Sequence, residues 1–463
     1  MERWPNQQEA FEFAMERPAC MLDMEMGTGK TRVAIDVVFE REDVHKILVV
    51  CPKAVIGVWR ENLNKFAPDP LNWDCYDPIT GTVKIKTEGL RMFWKNCSAR
   101  ASKLFVIINY ESVWRNPLGE YLTKCNFDMV ILDESHRAKA AGSKVSKYLF
   151  MLGKKVPYKM CLSGTPMANS PLDVYGQYRF LDYRIFGTNH FRFLQEYAIM
   201  GGPERRFVVG LQNQRKLNEL FHSIAYSCKM EEIKDRIKLP DALPPVVRKV
   251  RLPKKDYTTI KELNREFVAE CESGSIVVSN VLTKMLRIQQ IAAGFCKMTA
   301  GPGLEEWEER VNTSKQDELI DILSDVSPLA SVVVFGVFRH DMSSIAFAAK
   351  KAQRKCFELS GEKNELEDWK IEGGVLAVQI QAGAEGIDMT QANHAVYFSL
   401  PYSYAMYSQS RARLYRPGQN RPVSFIHIIA ENTIDEHIYK ALMRKENIID
   451  RVKSGQFDFG FMK

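Results

Sequence analysis

The residues best suited to chemistry stand in one short run, Met24-Glu25-Met26-Gly27-Thr28-Gly29-Lys30-Thr31. The apolar stretch Ala19–Leu22 precedes it and Val33–Val38 follows, so the run reads as the loop between a strand and a helix. Glycines at such a junction present backbone N–H groups to a polyphosphate at a helix N-terminus. Lys30 is then placed to reach the β- and γ-phosphates of a nucleotide, and Thr31 to hold a magnesium ion. The full pattern for such a loop has a glycine where Met24 stands, so only its second half is present.

A second reactive pair, Asp133 and Glu134, ends the apolar run Met129–Leu132. Adjacent carboxylates at the carboxyl end of a buried strand sit where open α/β sheets bind their ligands. Asp133 can hold Mg²⁺ through water, and Glu134 can orient or deprotonate an attacking water. Further on, Tyr158–Leu162 leads into Ser163-Gly164-Thr165-Pro166. Small hydroxyl residues on both sides of a glycine at a strand end suit a sensor of the γ-phosphate.

The elements that must position these groups are legible as pattern. Lys46–Pro52 and Leu104–Ile108 are continuous apolar runs of the buried parallel type. Their alternation with helical segments indicates a parallel sheet with helices on both faces. From Ser170 to Leu239 the pattern is helical and aromatic-rich, with no buried strand expected. Leu239-Pro240-Asp241-Ala242-Leu243-Pro244-Pro245 breaks any helix and marks a domain boundary. Val246–Pro253 reads as a basic strand, and a second helical block runs to about Phe295. Val332–Val337, Lys355–Leu359, Val375–Val378, Ala395–Phe398 and Ser424–Ile429 then supply the strands of a second α/β domain. The expected organisation is a first lobe over 1–240 with a helical insertion at 171–239, and a second over 241–463 with an insertion at 254–300.

Hydrophobic residues make up 45% and charged residues 26%, the balance of a soluble globular protein. The formal charge of +7 permits a polyanionic partner without demanding one. Ten cysteines without a close pair argue against a zinc cluster or a disulfide framework, and favour a cytoplasmic location. No signal peptide and no apolar run of membrane-spanning length is expected.

The succession Gly-Lys-Thr, Asp-Glu-Ser-His, Ser-Gly-Thr-Pro resembles motifs I, II and III of superfamily 2 helicases and translocases. The helical insertions and the Leu-Pro-Pro linker resemble the SNF2-type branch. The resemblance implies that Gln7, Gly27, Thr28, Gly29, Lys30 and Thr31 bind ATP, with Gln7 reading the adenine edge. Cys51-Pro52-Lys53 with Trp59 resembles motif Ia, and Asn109-Tyr110-Glu111 a further nucleic-acid-contacting segment. Gln381–Asp388 resembles motif V, which implies that Gly386 and Asp388 approach the nucleotide and that Gln381 contacts nucleic acid. Gln409–Gln419 resembles SNF2 motif VI, which implies a nucleic-acid contact for Gln409 and catalytic guanidinium groups at Arg413 and Arg416. Such groups stabilise the charge that spreads over the γ-phosphate during transfer. Ser163 and Thr165 fall in the coupling motif, and residues 433–453 resemble the brace helix of SNF2 proteins.

The implied fold is α/β, with two RecA-like parallel-sheet lobes in tandem and SNF2-type helical insertions. The implied activity is a DNA-dependent ATPase that uses ATP and Mg²⁺ in the cleft between the lobes and translocates as a monomer on double-stranded DNA. A strand-separating or branch-migrating helicase shares every motif, and a non-hydrolysing ATP-binding clamp is a third reading. Met24 stands where the family commonly has Asp, Gln379 and Ile380 where it has Ser or Thr, and Ser399–Tyr404 where it has Asp-x-x-Trp-Asn-Pro. These departures point to a compact member similar to the short SNF2-type proteins of bacteria and their viruses.

Overall fold

Apolar runs in the N-terminal half become inner strands because helices cover both faces of the sheet they form. A computed structural model describes residues 2–98, 100–167, 170–201, 207–266, 268–271, 274–277, 281–299, 306–382 and 387–453. Its strands begin with β1 (Ala19–Met24), β2 (Lys46–Cys51), β3 (Trp73–Tyr76), β4 (Lys103–Asn109), β5 (Met129–Asp133) and β6 (Tyr158–Ser163). A hairpin of β7 (Ala198–Gly201) and β8 (Phe207–Leu211) follows, then β9 (Ala225–Cys228). The main sheet has the order β3-β4-β2-β5-β6-β1-β9, and every pairing in it is parallel. Successive residues of a strand face opposite layers. Leu48, Val50, Val106, Ile108, Val130 and Leu132 accordingly share one core with Leu149, Tyr175, Tyr178 and Phe221.

The stretch from Ser170 to Leu239 departs from its expected all-helical character. Strands β7 and β8 are short and surface-facing, with Ile199 and Val208 both exposed. Strand β9 has only four residues and buries its two ends, leaving the middle half-buried at the sheet edge. The Ala-Tyr-Ser-Cys of β9 gives no continuous apolar run, whereas β7 and β8 are apolar but too short to set a period.

The second sheet is built from β10 (Val246–Val250) and, after an insertion, from later strands. The insertion contains β11 (Val268–Cys271), β12 (Gly274–Val277), β13 (Phe295–Thr299) and β14 (Glu306–Arg310), an antiparallel sheet in that order. The pattern predicts helix through to Phe295, and β11 and β12 correct it; each is four residues long, too short to set a period. The remaining strands are β15 (Val332–Gly336), β16 (Cys356–Leu359), β17 (Val375–Gln379), β18 (His394–Tyr397) and β19 (Ser424–Ala430). They complete a parallel sheet of order β10-β19-β18-β15-β17-β16. Val332, Val334, Val375, Ala377 and Val396 serve the core on one face, and Val333, Phe335, Leu376, Val378 and Tyr397 the core on the other. Fully burying an aliphatic side chain of this size contributes about 1.5–3 kcal/mol.

The chain divides into two compact units, residues 1–238 with 447–463, and residues 239–446. Among the described residues no helix is long and apolar enough to cross a membrane.

One buried group makes the second unit acid-sensitive. His427 of β19 is fully buried, bonded through Nε2 to the Tyr407 hydroxyl at 2.9 Å and stacked on Tyr397. Burial lowers its pKa from 6.5 to about 4, and the Arg411 charge acts in the same direction. The unfolded chain therefore binds the proton first as pH falls through 6.5, and stability is lost until the folded group titrates near 4. The lost stability approaches about 3 kcal/mol at the acid end of that window. Urea unfolding of the wild type and of His427→Gln at neutral pH and at about pH 4.5 measures this. The wild type is expected to lose markedly more stability than the variant, and equal losses in both would contradict the assignment.

Candidate functional site

The phosphate-loop candidate begins at the end of β1. Gly27 and Gly29 adopt φ of 84° and 96°, a left-handed conformation that side-chain-bearing residues rarely take. Between them Thr28 is fully buried, and its Oγ1 donates to the Glu25 carbonyl at 2.6 Å. The turn feeds the helix Lys30–Glu40, with Thr31 half-buried on its first turn. Lys30 is buried, and its Nζ donates to the carbonyls of Met24 at 2.8 Å and Glu25 at 3.4 Å. Burial lowers the Lys30 pKa, opposed by the charges of Glu134, Asp133, Asp23 and Glu25. Met24 thus serves the loop through its backbone carbonyl, and its side chain is buried.

Two neighbours hold the loop in shape. Gln7 is buried, accepts the Trp4 N–H at 3.0 Å and donates to the Thr28 carbonyl at 3.4 Å. Asn6, which sequence reasoning passed over, donates to the same carbonyl at 3.1 Å. On the far side, Glu25 N–H donates to the Cys228 carbonyl at 2.9 Å, and its carboxylate accepts the Met230 N–H at 2.7 Å. The edge strand β9 therefore buttresses the loop from outside the motif.

Asp133 ends β5 and is buried. Its carboxylate accepts the Trp59 indole N–H at 2.8 Å and the Glu134 N–H at 3.0 Å, while its carbonyl accepts the Tyr110 hydroxyl at 2.8 Å. Burial, then the neighbouring charge of Glu134, raises the Asp133 pKa above the ordinary carboxylate range. Glu134 takes φ 50° and ψ 51°, a strained left-handed conformation for a residue with a side chain. Its Oε2 is buried with no hydrogen-bond partner, 3.4 Å from His136 Nδ1. Burial, reinforced by Arg137 and Lys139, lowers the His136 pKa to about 4, so this contact is not an ion pair at neutral pH.

His136 also carries the link to the next segment, a role the motif alone does not reveal. Its Nδ1 lies 3.3 Å from Ser163 Oγ, which accepts the Thr165 N–H at 3.1 Å. Buried Gln177 clamps the same two segments. It accepts the Ser135 hydroxyl at 2.7 Å and donates to the Pro166 carbonyl at 2.8 Å. A Cβ built on Gly164 would stand 3.2 Å from the Met24 carbonyl and the Met26 N, so the Ser-Gly-Thr turn packs directly on the phosphate loop. The structure thus brings together Gln7, Gly27, Thr28, Gly29, Lys30, Thr31, Asp133, Glu134, Ser163 and Thr165 around one loop.

The residues expected to contact nucleic acid differ in exposure. Asn109 and Tyr110 are buried, with Asn109 bonded to Lys86 and Glu111 and Tyr110 bonded to Asp133. Pro52 and Gln409 are buried as well. Through its hydroxyl, Tyr110 holds the carboxyl end of β5. Lys53 and Gln381 are exposed.

In the second unit the motif VI turn is stitched to the segment after β17. Arg413 and Arg416 follow the helix Tyr404–Arg411 and are half-buried. The Met389 N–H donates to the Arg413 carbonyl at 3.1 Å, and Arg416 Nη1 to the Ile387 carbonyl at 3.5 Å. Gln419 is buried and donates to the carbonyls of Ala392 at 2.8 Å and Thr390 at 3.1 Å. Asp388 is exposed, and its Oδ1 accepts the Thr390 N–H and hydroxyl at 2.9 and 2.8 Å. Gly386 lies outside the described residues. At the Ser399 departure, a carboxylate is supplied from elsewhere: Ser399 Oγ donates to Asp341 Oδ2 at 2.6 Å.

Helix Val174–Leu181 sets the position of the Asp133–His136 segment through Gly176. A Cβ there would press into the carbonyl oxygens of Ala138 and Lys139. Gly176→Ala is expected to destabilise the first unit by about 1–3 kcal/mol, because backbone rather than a side-chain end must move. A denaturation midpoint equal to that of the wild type would rule out this packing role.

The chain matches the SNF2-related domain over residues 7–293 and the helicase conserved C-terminal domain over residues 314–418. It is 24% identical to the mouse (Mus musculus) DNA annealing helicase and endonuclease ZRANB3, an alignment that covers 98% of this chain and 41% of that protein. It is 23% identical to the ATP-dependent helicase YqhH of Bacillus subtilis (strain 168), covering 97% of this chain and 79% of that one. The Sulfolobus solfataricus SWI2/SNF2 ATPase core solved in complex with dsDNA is 20% identical, with a TM-score of 0.44 over 98% of this chain and 94% of that one. The chain spans about two fifths of the length of the ZRANB3 relatives it matches. The SNF2-related match alone takes in more than half of the residues, and the chain belongs to the SNF2-related family.

Proposed function

We propose that the chain is an ATP-driven motor that translocates on double-stranded DNA. The observation that carries this reading is the gathering of Lys30, Asp133 and Glu134 at a loop with two left-handed glycines. A buried ammonium beside two carboxylates fits a site that handles a charged phosphoryl group and a water together. Relatives described as ATP-dependent and DNA-annealing helicases support the same reading.

The donor set also fits magnesium. Thr31 and Asp133 offer hard oxygen ligands, and Mg²⁺ is bound in such sites by one or two protein groups, with phosphate and water oxygens completing its shell. Among the described residues no group of three or more His, Cys, Asp or Glu offers an all-protein cage. Bound there, the ion would neutralise charge on the β- and γ-phosphate oxygens. Lys30 binds the same phosphates, and the loop N–H groups orient them. The unpartnered Oε2 of Glu134 is suited to hold the attacking water and take its proton. Arg413 and Arg416 supply guanidinium charge to the transition state. Gln7 reads the adenine edge, and Ser163 and Thr165 relay the state of the γ-phosphate. The motor works as a monomer in the cytoplasm, a compartment that the free cysteines suit.

Steady-state ATP hydrolysis measured alone and with duplex DNA, single-stranded DNA and RNA tests the proposal. Stimulation chiefly by duplex, with displacement of a triplex-forming strand, is the expected result. Preference for single strands with unwinding of a forked duplex would replace the translocase by a helicase, and absence of turnover would leave the ATP-binding clamp. Glu134→Gln is expected to lower kcat by about 10²–10⁴-fold while retaining nucleotide binding. Lys30→Ala is expected to weaken nucleotide binding itself. Normal hydrolysis by both variants would remove the site assignment.

A further inference from the structure

The Asp133 carboxylate is held from a helix that carries none of the residues assigned to the chemistry. The helix Ile56–Phe66 follows β2 and buries Ile56, Trp59 and Leu63. Spaced by three and four residues, these side chains share one face, and the core fixes the rotation of the helix through them. Trp59 is fully buried, and its indole Nε1–H donates to Asp133 Oδ2 at 2.8 Å. An indole buried for packing alone needs no more than some acceptor for its N–H. Two observations go further than that.

The first is how the donors are shared between the oxygens. Trp59 bonds Oδ2, and the Glu134 N–H bonds Oδ1 at 3.0 Å. A donor on each oxygen fixes the rotation of the carboxylate and still leaves acceptor positions open on both. Both donors are rigid, one a ring locked in the core and the other a backbone N–H. The second observation is a contact at the far end of the same helix. Arg32 follows Thr31 on the helix Lys30–Glu40, and its guanidinium stands 5.1 Å from the centre of the Phe66 ring. That is within cation–π range. Phe66 is the last residue of the helix that carries Trp59. One helix therefore contacts the element that bears Thr31 and also bonds the carboxylate of Asp133. These are the two residues whose oxygens suit magnesium.

We propose that Trp59 is a positioning residue for the magnesium ion, its indole N–H aiming the Asp133 carboxylate. This inference rests on the reading of the loop as a magnesium-nucleotide site and deepens it by one residue. Mg²⁺ demands near-ideal octahedral geometry, so a carboxylate free to rotate serves it poorly. Donors behind a ligating carboxylate hold its orientation, and losing one typically costs about 10–100-fold in metal affinity. Trp59 acts through Asp133 and has no role of its own in binding the nucleotide.

Binding of a fluorescent, non-hydrolysable ATP analogue across a Mg²⁺ titration tests the role of Trp59. The proteins compared are the wild type, Trp59→Phe, Asp133→Ala, and a chain with benzothienylalanine in place of Trp59, in which sulfur replaces the indole N–H at nearly unchanged shape. Both Trp59 replacements are expected to bind the analogue in EDTA as the wild type does, and to need about 10–100-fold more Mg²⁺ for half-saturation. Their loss is not expected to exceed that of Asp133→Ala, because Trp59 acts through that carboxylate. Wild-type half-saturation in both replacements would overturn the proposal. So would a loss that is equally large in EDTA, which would make Trp59 a packing residue, and so would a loss greater than that of Asp133→Ala. A wild-type protein whose nucleotide binding does not respond to Mg²⁺ would instead remove the magnesium-site reading itself. If thermal melting shows that Trp59→Phe is unfolded, the benzothienylalanine protein decides alone.

Discussion

The first unit is constrained above all by the burial of the Asp133 carboxylate. Removing a carboxylate from water costs several kcal/mol unless donors and opposite charge replace its hydration. Here Trp59 and the Glu134 N–H supply the donors, and Lys30 supplies charge. Each of these comes from a different element, so the helix after β2, the turn after β5 and the helix after β1 must all be in register for the carboxylate to be tolerated. Glu134 is left in a strained conformation by this arrangement. Such strain persists only where the surroundings over-determine it. Tyr110, Gln177 and Gly176 are the groups that do so, fixing the Asp133 carbonyl, Ser135 and the turn at Ala138.

The second unit solves a similar problem with a fully buried ion pair. Lys315 Nζ meets Asp435 Oδ2 at 2.6 Å, both side chains essentially without exposure, and also donates to the Phe398 carbonyl at 3.0 Å. Such a pair gives little net stability against an apolar replacement, but removing one partner strands a charge. It ties the starts of the helices Ser314–Asp325 and Ile434–Lys453 to the end of β18. Asp341 does parallel work nearby, accepting Val337 N–H and Phe338 N–H, each at 2.9 Å, along with Ser399. At the Ser399 departure a carboxylate is therefore still present, brought to the end of the strand by the helix Arg339–Lys351.

What was legible in the sequence follows from which signals are local. The inner strands of both sheets were readable because strands buried on two faces are continuous apolar runs, as in Leu48–Val50 and Val332–Phe335. The phosphate loop and the Asp-Glu pair were readable because glycine conformation and strand-end carboxylates are properties of a few adjacent residues. Edge strand β9, the β7–β8 hairpin and the β11–β12 pair were not, because β9, β11 and β12 carry half-polar patterns and the apolar runs of β7 and β8 are too short to set a period. Nor could sequence show that Asn109 and Tyr110 face inward. That depends on Lys86 and Asp133, which are 23 residues away from them in each case and meet them only in the folded sheet. The indole bond from Trp59 to Asp133, across 74 residues, belongs to the same class.

Two unsatisfied groups bear on the chemistry of the candidate site. A buried polar atom without a partner costs about 1–3 kcal/mol, so folded proteins retain few of them without a reason. Such atoms occur in both units, and two of them, Glu134 Oε2 and Thr165 Oγ1, belong to residues of the candidate site. They belong to different motifs, and the His136–Ser163–Thr165 chain of contacts connects those motifs. Glu134 Oε2 and Thr165 Oγ1 are the open positions on that path. An ordered water on Glu134 and a phosphate oxygen near Thr165 would satisfy both together. The same hydrogen bonds that hold these residues in place would then transmit whether the terminal phosphate is present.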